Sequence, residues 1–187
     1  MIRSGLNDMN TTDALQRLEE LATYYLHELD GFTMEQLIQQ PNEGEWSIGQ
    51  MYQHFNNSAL YMQLRNIEHC MTQSEDSMVS PMGKTKEGAA IFEEGSLPPV
   101  RIHVPPSPQY TPEQPVSKEQ LILGLNTVIH QMKAIEPTLE KASERITAPH
   151  PKFGGLHAKE WFLLIEMHYR HHLLQLKRLR EAVESNV

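Results

Sequence analysis

The 187-residue sequence predicts an all-α fold, a four-helix bundle, on three observations. Four stretches carry apolar residues at three- and four-residue spacing, the period of a helix with one buried face. No two segments alternate apolar and polar residues clearly enough to pair as strands. The one long interruption, residues 74–116, holds eight of the twelve prolines, so a regular helix cannot persist there.

The first helix is expected over residues 12–29, with Leu15, Leu18, Ala22, Tyr25 and Leu29 on one face and Gly31 as a stop. The second starts at Ser47, followed three residues later by Gln50. In that capping-box spacing each side chain can satisfy the other's orphan backbone donor. Ile48, Met51, Tyr52, Phe55, Ala59 and Met62 continue its apolar face to about Met71. A third helix opens at Ser117, with Gln120 at the same spacing, and Pro137 should interrupt it. The fourth follows "HPKFGG" and runs to about Glu184.

Residues 1–187 therefore read as one domain, with 74–116 as a proline-rich crossover loop and short extended pieces near "VRIHV". A helix of about 25 residues is roughly 38 Å long, which a 40-residue connection spans easily. The second and third helices can then run parallel, an up-down-down-up order.

Composition excludes several classes of function. A formal charge of −8 and no strong basic cluster before the last helix argue against nucleic acid held through its phosphates. No apolar run approaches the 18 to 20 residues of a membrane span. A polar, acidic start shows no secretory signal, and a lone cysteine, Cys70, cannot form an internal disulfide; both fit the cytoplasm.

The histidines carry the chemistry. On the fourth helix Trp161, Leu164, Ile165, His168, His172, Gln175, Leu176, Leu179 and Val183 lie along one side. His168 and His172 thus occupy stripe positions that demand burial, and residues four apart can converge on one ion. With ten histidines in the chain, one pair at that spacing is unexceptional by chance. Tyrosines, amides or water could satisfy the pair as well as a metal could. Tyr169 stands where a zincin would need glutamate, so HExxH hydrolysis is excluded.

His54, on the apolar side of the second helix, adds what a bundle-core metal site needs, a ligand from another helix. Three histidines leave a position open for water or substrate. A set without thiolate or carboxylate suits Zn²⁺ or Ni²⁺ and remains compatible with Cu or Fe. Gln50, Asn57, Ser58 and Gln175 are placed to hydrogen-bond the ligands. His171 falls at the edge of the arc and reads as a bystander. His27, His69, His103, His130, His150 and His157 lack a partner at ligand spacing and read as surface or hydrogen-bonding residues.

"EWSIGQMYQHF", "HYRHHLLQL" and "HPKFGGLHAKEW" together resemble the DinB/YfiT-like superfamily of metal-binding four-helix bundles. The resemblance implies an up-down-down-up bundle with His54, His168 and His172 holding a divalent ion, Ni²⁺ or Zn²⁺. It also implies a small-molecule substrate and thiol-dependent transferase or hydrolase chemistry, with a low-molecular-weight thiol as a candidate cosubstrate. Gln50 stands where relatives often carry glutamate, which would remove any acid–base role there. The expectation is a metal-dependent enzyme whose three-histidine site activates water or a thiol. Its competitors are a non-catalytic bundle binding metal or a small molecule, and a plain helical interaction protein. Homodimerisation is compatible with such a bundle.

Overall fold

The computed structural model describes residues 10–74, 83–100 and 111–185. Its α-helices are α1 (Thr11–Gly31), α2 (Met34–Ile38), α3 (Ile48–Ser58), α4 (Leu64–Thr72), α5 (Lys86–Glu94), α6 (Lys118–Ile135) and α7 (Ala158–Glu184). A π-helical turn, Ala59–Gln63, joins α3 to α4, so the two form one rod. A 3-10 turn, Glu136–Lys141, follows α6. A short antiparallel hairpin, β1 (Thr147–His150) and β2 (Gly154–His157), precedes α7.

The four long rods are those expected: α1, α3–α4, α6 and α7. Both α1 and the α3–α4 rod pack against α6 and α7. Leu18, Tyr25, Tyr52, Phe55, Trp161, Phe162 and Tyr169 are fully buried between them. Each such side chain contributes about 1.5–3 kcal/mol through apolar burial. No helix among the described residues is long and apolar enough to cross a membrane.

The helix starts follow local chemistry. Ser47 Oγ accepts from Gln50 N at 3.1 Å and Gln50 Oε1 accepts from Ser47 N at 3.0 Å, so the expected box is complete. At α6 only half of it forms, because Gln120 Oε1 accepts from Val116 N rather than from Ser117 N. α6 ends at Ile135, two residues before Pro137. At α7 the cap is an imidazole: His157 Nδ1 accepts from Glu160 N, and Glu160 Oε2 from His157 N.

Three elements depart from the expectation. The hairpin corrects the absence of paired strands; its strands have four residues each, too short to show alternation. α2 is a five-residue helix, below the length at which periodicity is visible. α5 lies inside the proline-rich interval, capped by Thr85 and stopped by Gly95 in the left-handed region at φ 65°.

The residues around α5 dock on the hairpin. Lys84 bridges to Gly154, Thr85 N donates to Phe153 O at 2.9 Å, and Gly155 N donates to Gly83 O at 3.0 Å. Gly88 has to be glycine, since a Cβ there would collide with the Phe153 carbonyl. The far end of the interval is tied to the start of α3, where Gln50 Nε2 donates to Pro112 O at 2.7 Å and Ser47 Oγ to Gln114 Oε1 at 2.8 Å. Apart from Val100, the "VRIHV" stretch lies outside the described residues.

Candidate metal centre

His54 on α3 and His168 and His172 on α7 meet through their Nε2 atoms. Nε2 of His168 lies 3.1 Å from that of His54 and 3.0 Å from that of His172. The potential ligand atoms all fall within 4.8 Å of one another. In a tetrahedral zinc site, bonds of about 2.0–2.1 Å set ligand nitrogens about 3.4 Å apart, so a small adjustment would admit an ion.

These imidazoles cannot satisfy one another. A neutral ring has one N–H, and His168 Nε2 can serve only one of the two nitrogens it faces. His172 Nδ1 lies 2.8 Å from Gln175 Oε1, and an oxygen acceptor there places the proton on Nδ1 and frees the Nε2 lone pair. His168 Nδ1 is buried with no partner among the described residues. Burial pushes His54 down to about 4, with His171 adding to the shift. It pushes His172 to about 3, helped by His54 and opposed by the Gln175 bond. His168 is depressed as well, by burial first and then by His172 and His54. All three are therefore neutral at pH 7, the state in which imidazole ligates. Three inward nitrogen lone pairs and a buried orphan atom fit a divalent cation.

The histidines open on a cavity of about 550 Å³. Trp46, Met62, Gln63, Leu97, Val100 and His150 contribute to its wall. The Trp46 and His54 ring centroids are 4.8 Å apart. In an unbroken α-helix Gln63, nine residues after His54, would lie about 180° away from it. The π turn adds a residue to that turn and swings Gln63 towards the cavity, a distortion frequent at functional sites. Gln63 Oε1 is buried and has no partner among the described residues.

Other expectations divide. Gln175 does hydrogen-bond a histidine, and Ser58 lines the cavity. Gln50 does not reach the cluster; it is committed to the α3 cap and to Pro112. Asn57 is exposed. His171 lines the cavity but stands outside the three-histidine group. His157 caps α7, and His103 lies outside the described residues. His150, Trp46 and Gln63 were not anticipated as cavity residues. The dipeptide Trp46-Ser47 marked a helix start, whereas His150 and Gln63 depend on the hairpin and the π turn, which leave no periodic signal.

The fold and these residues define a class: a helical bundle whose core histidines form a nitrogen-only metal centre candidate at the base of a cavity. The chain belongs to the DinB superfamily, whose family model matches residues 17–176. It is 25% identical over 158 residues to the uncharacterised protein YuaE of Bacillus subtilis strain 168, covering 84% of this chain and 91% of YuaE. Its fold is similar to that of YfiT from Bacillus subtilis, described as a probable metal-dependent hydrolase with an unusual four-helix bundle topology. That match has a TM-score of 0.61 at 17% identity and covers 97% of this chain and 91% of YfiT. TT2238, a four-helix bundle protein, matches with a TM-score of 0.56 at 19% identity, over 90% of this chain and 98% of its own.

Proposed function

We propose that the protein is a divalent-metal-dependent enzyme, hydrolase-like or thiol-transferase-like, with His54, His168 and His172 as the ligands of Zn²⁺ or Ni²⁺. The observation that carries this reading is the convergence of three neutral Nε2 atoms from two helices at a cavity large enough for a small molecule. A bound ion would supply Lewis acidity, lowering the pKa of water or of a low-molecular-weight thiol. The chain's own part is to hold the three lone pairs, fix the His172 tautomer through Gln175 and shield the cavity with Trp46 and Leu97. Glu45 is the one carboxylate among the described lining residues, and it accepts from Asn42 at 3.1 Å.

The same reading includes an up-down-down-up order. Supporting it, Lys118 Nζ at the start of α6 donates to Asp30 O at the end of α1, and Thr12 at the start of α1 donates to Glu136 beyond α6. Arg17 pairs with Glu166 and Arg180 with Glu28, early with early and late with late on α1 and α7.

The test is element-resolved metal analysis of untagged protein beside His54→Ala, followed by turnover assays with ester substrates and with thiols plus an electrophilic acceptor. We expect near-stoichiometric metal in the wild type, loss in the variant, and turnover above that of free metal. Substoichiometric metal unaffected by the substitution rejects the site. Bound metal without turnover leaves a binding protein.

A further inference from the structure

His150 lies at the end of β1, outside the three-histidine group, yet its ring forms part of the same cavity wall. Two features fix its proton. Nδ1 accepts from the backbone N–H of Lys152 at 3.1 Å and of Phe153 at 3.1 Å, so the neutral ring must carry its hydrogen on Nε2. The plane is held by stacking on Phe153 at 4.4 Å and 14°, with Trp161 at 5.3 Å on a tilt. With Nδ1 turned into the hairpin, the Nε2–H edge faces away from it.

We propose that His150 is a fixed hydrogen-bond donor, whose Nε2–H holds a substrate oxygen on which negative charge develops. This rests on the reading of the cavity as a reaction site. The chemistry it fits is a substrate with a carbonyl or comparable polarised oxygen beside an apolar group, matching the Trp46, Leu97 and Phe153 walls. A positioned neutral N–H stabilises a forming oxyanion without transferring its proton. Two alternatives fail on the same geometry. His150 cannot act as a general base, because its one lone pair is committed to two backbone amides. Nor is it readily a cation, since protonating Nδ1 would break both bonds. Burial, then the charge of Lys152, depress it to about 4, consistent with a neutral ring.

The experiment has two arms on the full chain. In the first, the imidazole ¹⁵N–¹H spectrum of metal-free protein is recorded at pH 7, with His150 assigned by its disappearance in His150→Asn. The Nε2–H tautomer is expected, and the Nδ1–H tautomer overturns the proposal. In the second, phenylphosphonate, a tetrahedral oxyanion with an apolar ring, is titrated into zinc-treated and into metal-free protein and followed by tryptophan fluorescence. An asparagine oxygen can accept the same turn amides, so His150→Asn keeps the hairpin, while its shorter amide N–H falls short of the position of the imidazole Nε2–H. We expect phenylphosphonate to bind the variant at least about tenfold more weakly, with zinc content and thermal midpoint unchanged. Affinities within twofold, or no saturable binding to the wild type, overturn the proposal. If the protein takes up no zinc, the metal reading fails on its own. The metal-free titration and the tautomer still decide the role of His150.

Discussion

Two buried polar clusters lie side by side between α3 and α7, and they are built in opposite ways. The tyrosine cluster is complete. Tyr52 Oη donates to Tyr25 O at 2.7 Å, Tyr25 Oη to Tyr169 O at 2.6 Å, Tyr169 Oη to Asn56 Oδ1 at 2.8 Å, and Asn56 Nδ2 to Leu121 O at 3.1 Å. Burial raises the phenols, which stay neutral. One turn away, the histidine cluster has three nitrogens competing for shared protons and an orphan Nδ1. Phe55 stands between the two, 4.4 Å from Tyr169 and 6.0 Å from His172 by ring centroid. A buried polar group without a partner is costly, so the first cluster reads as structure and the second as a site completed from outside the chain.

Adjacent residues on α7 offer the largest break in that comparison. His168→Leu should lower zinc affinity by more than about a hundredfold, since it removes a ligand rather than a ligand's support. The metal-free variant should be as stable as the wild type or up to about 1–2 kcal/mol more stable, having lost a buried unpaired nitrogen. Tyr169→Phe should do the reverse: full metal content, with stability lower by about 1–3 kcal/mol because Asn56 Oδ1 loses its donor. Metal analysis and chemical denaturation in chelator measure both. Metal loss in Tyr169→Phe would erase the distinction.

Neither cluster's state could be read from the sequence, although several of its positions could. The apolar stripe turned His54, His168 and His172 inward, and i,i+4 spacing paired the last two, because helical period alone dictates facing. Tyr25, Tyr52 and Phe55 were equally legible as core. What periodicity cannot tell is whether a buried polar atom finds a partner, since the acceptors of Tyr25 and Tyr52 are backbone carbonyls on other helices. His150 stayed hidden for a related reason: its place depends on a four-residue strand pair held by Gly154 at φ 79°. Gln63 stayed hidden because the π turn that brings it to the cavity leaves no periodic signal.

Acid should distinguish the clusters next. An imidazole whose folded pKa lies near 4 or 3, against an ordinary value of 6.5, binds protons more readily when unfolded. Its contribution to stability is therefore full above about pH 6.5 and is lost as pH falls towards 4, by up to about 1.4 kcal/mol per pH unit for each ring. Metal-free protein should lose about 2 kcal/mol for each such ring between pH 7 and pH 5, measured by denaturant titration at each pH. The tyrosines do not titrate in that window, so the loss should persist in Tyr169→Phe and shrink in His168→Leu. Equal slopes in the two variants would place the acid sensitivity elsewhere.

The smallest expected effect concerns the one histidine bond that is already satisfied. Gln175 Oε1 holds the proton of His172 on Nδ1, and a leucine there leaves the ring free to carry it on Nε2, where it blocks coordination. Gln175→Leu should weaken zinc binding about tenfold, read by competition with a chromophoric chelator. Its metal-free stability should stay within about 0.5 kcal/mol of the wild type, because residue 175 is only half-buried. Gln175→Glu restores an acceptor and makes the imidazole more basic, so its affinity should equal or exceed that of the wild type. If leucine binds zinc as tightly as glutamine, the bond does not prepare the ligand. The histidine cluster would then differ from the tyrosine cluster only by what it lacks.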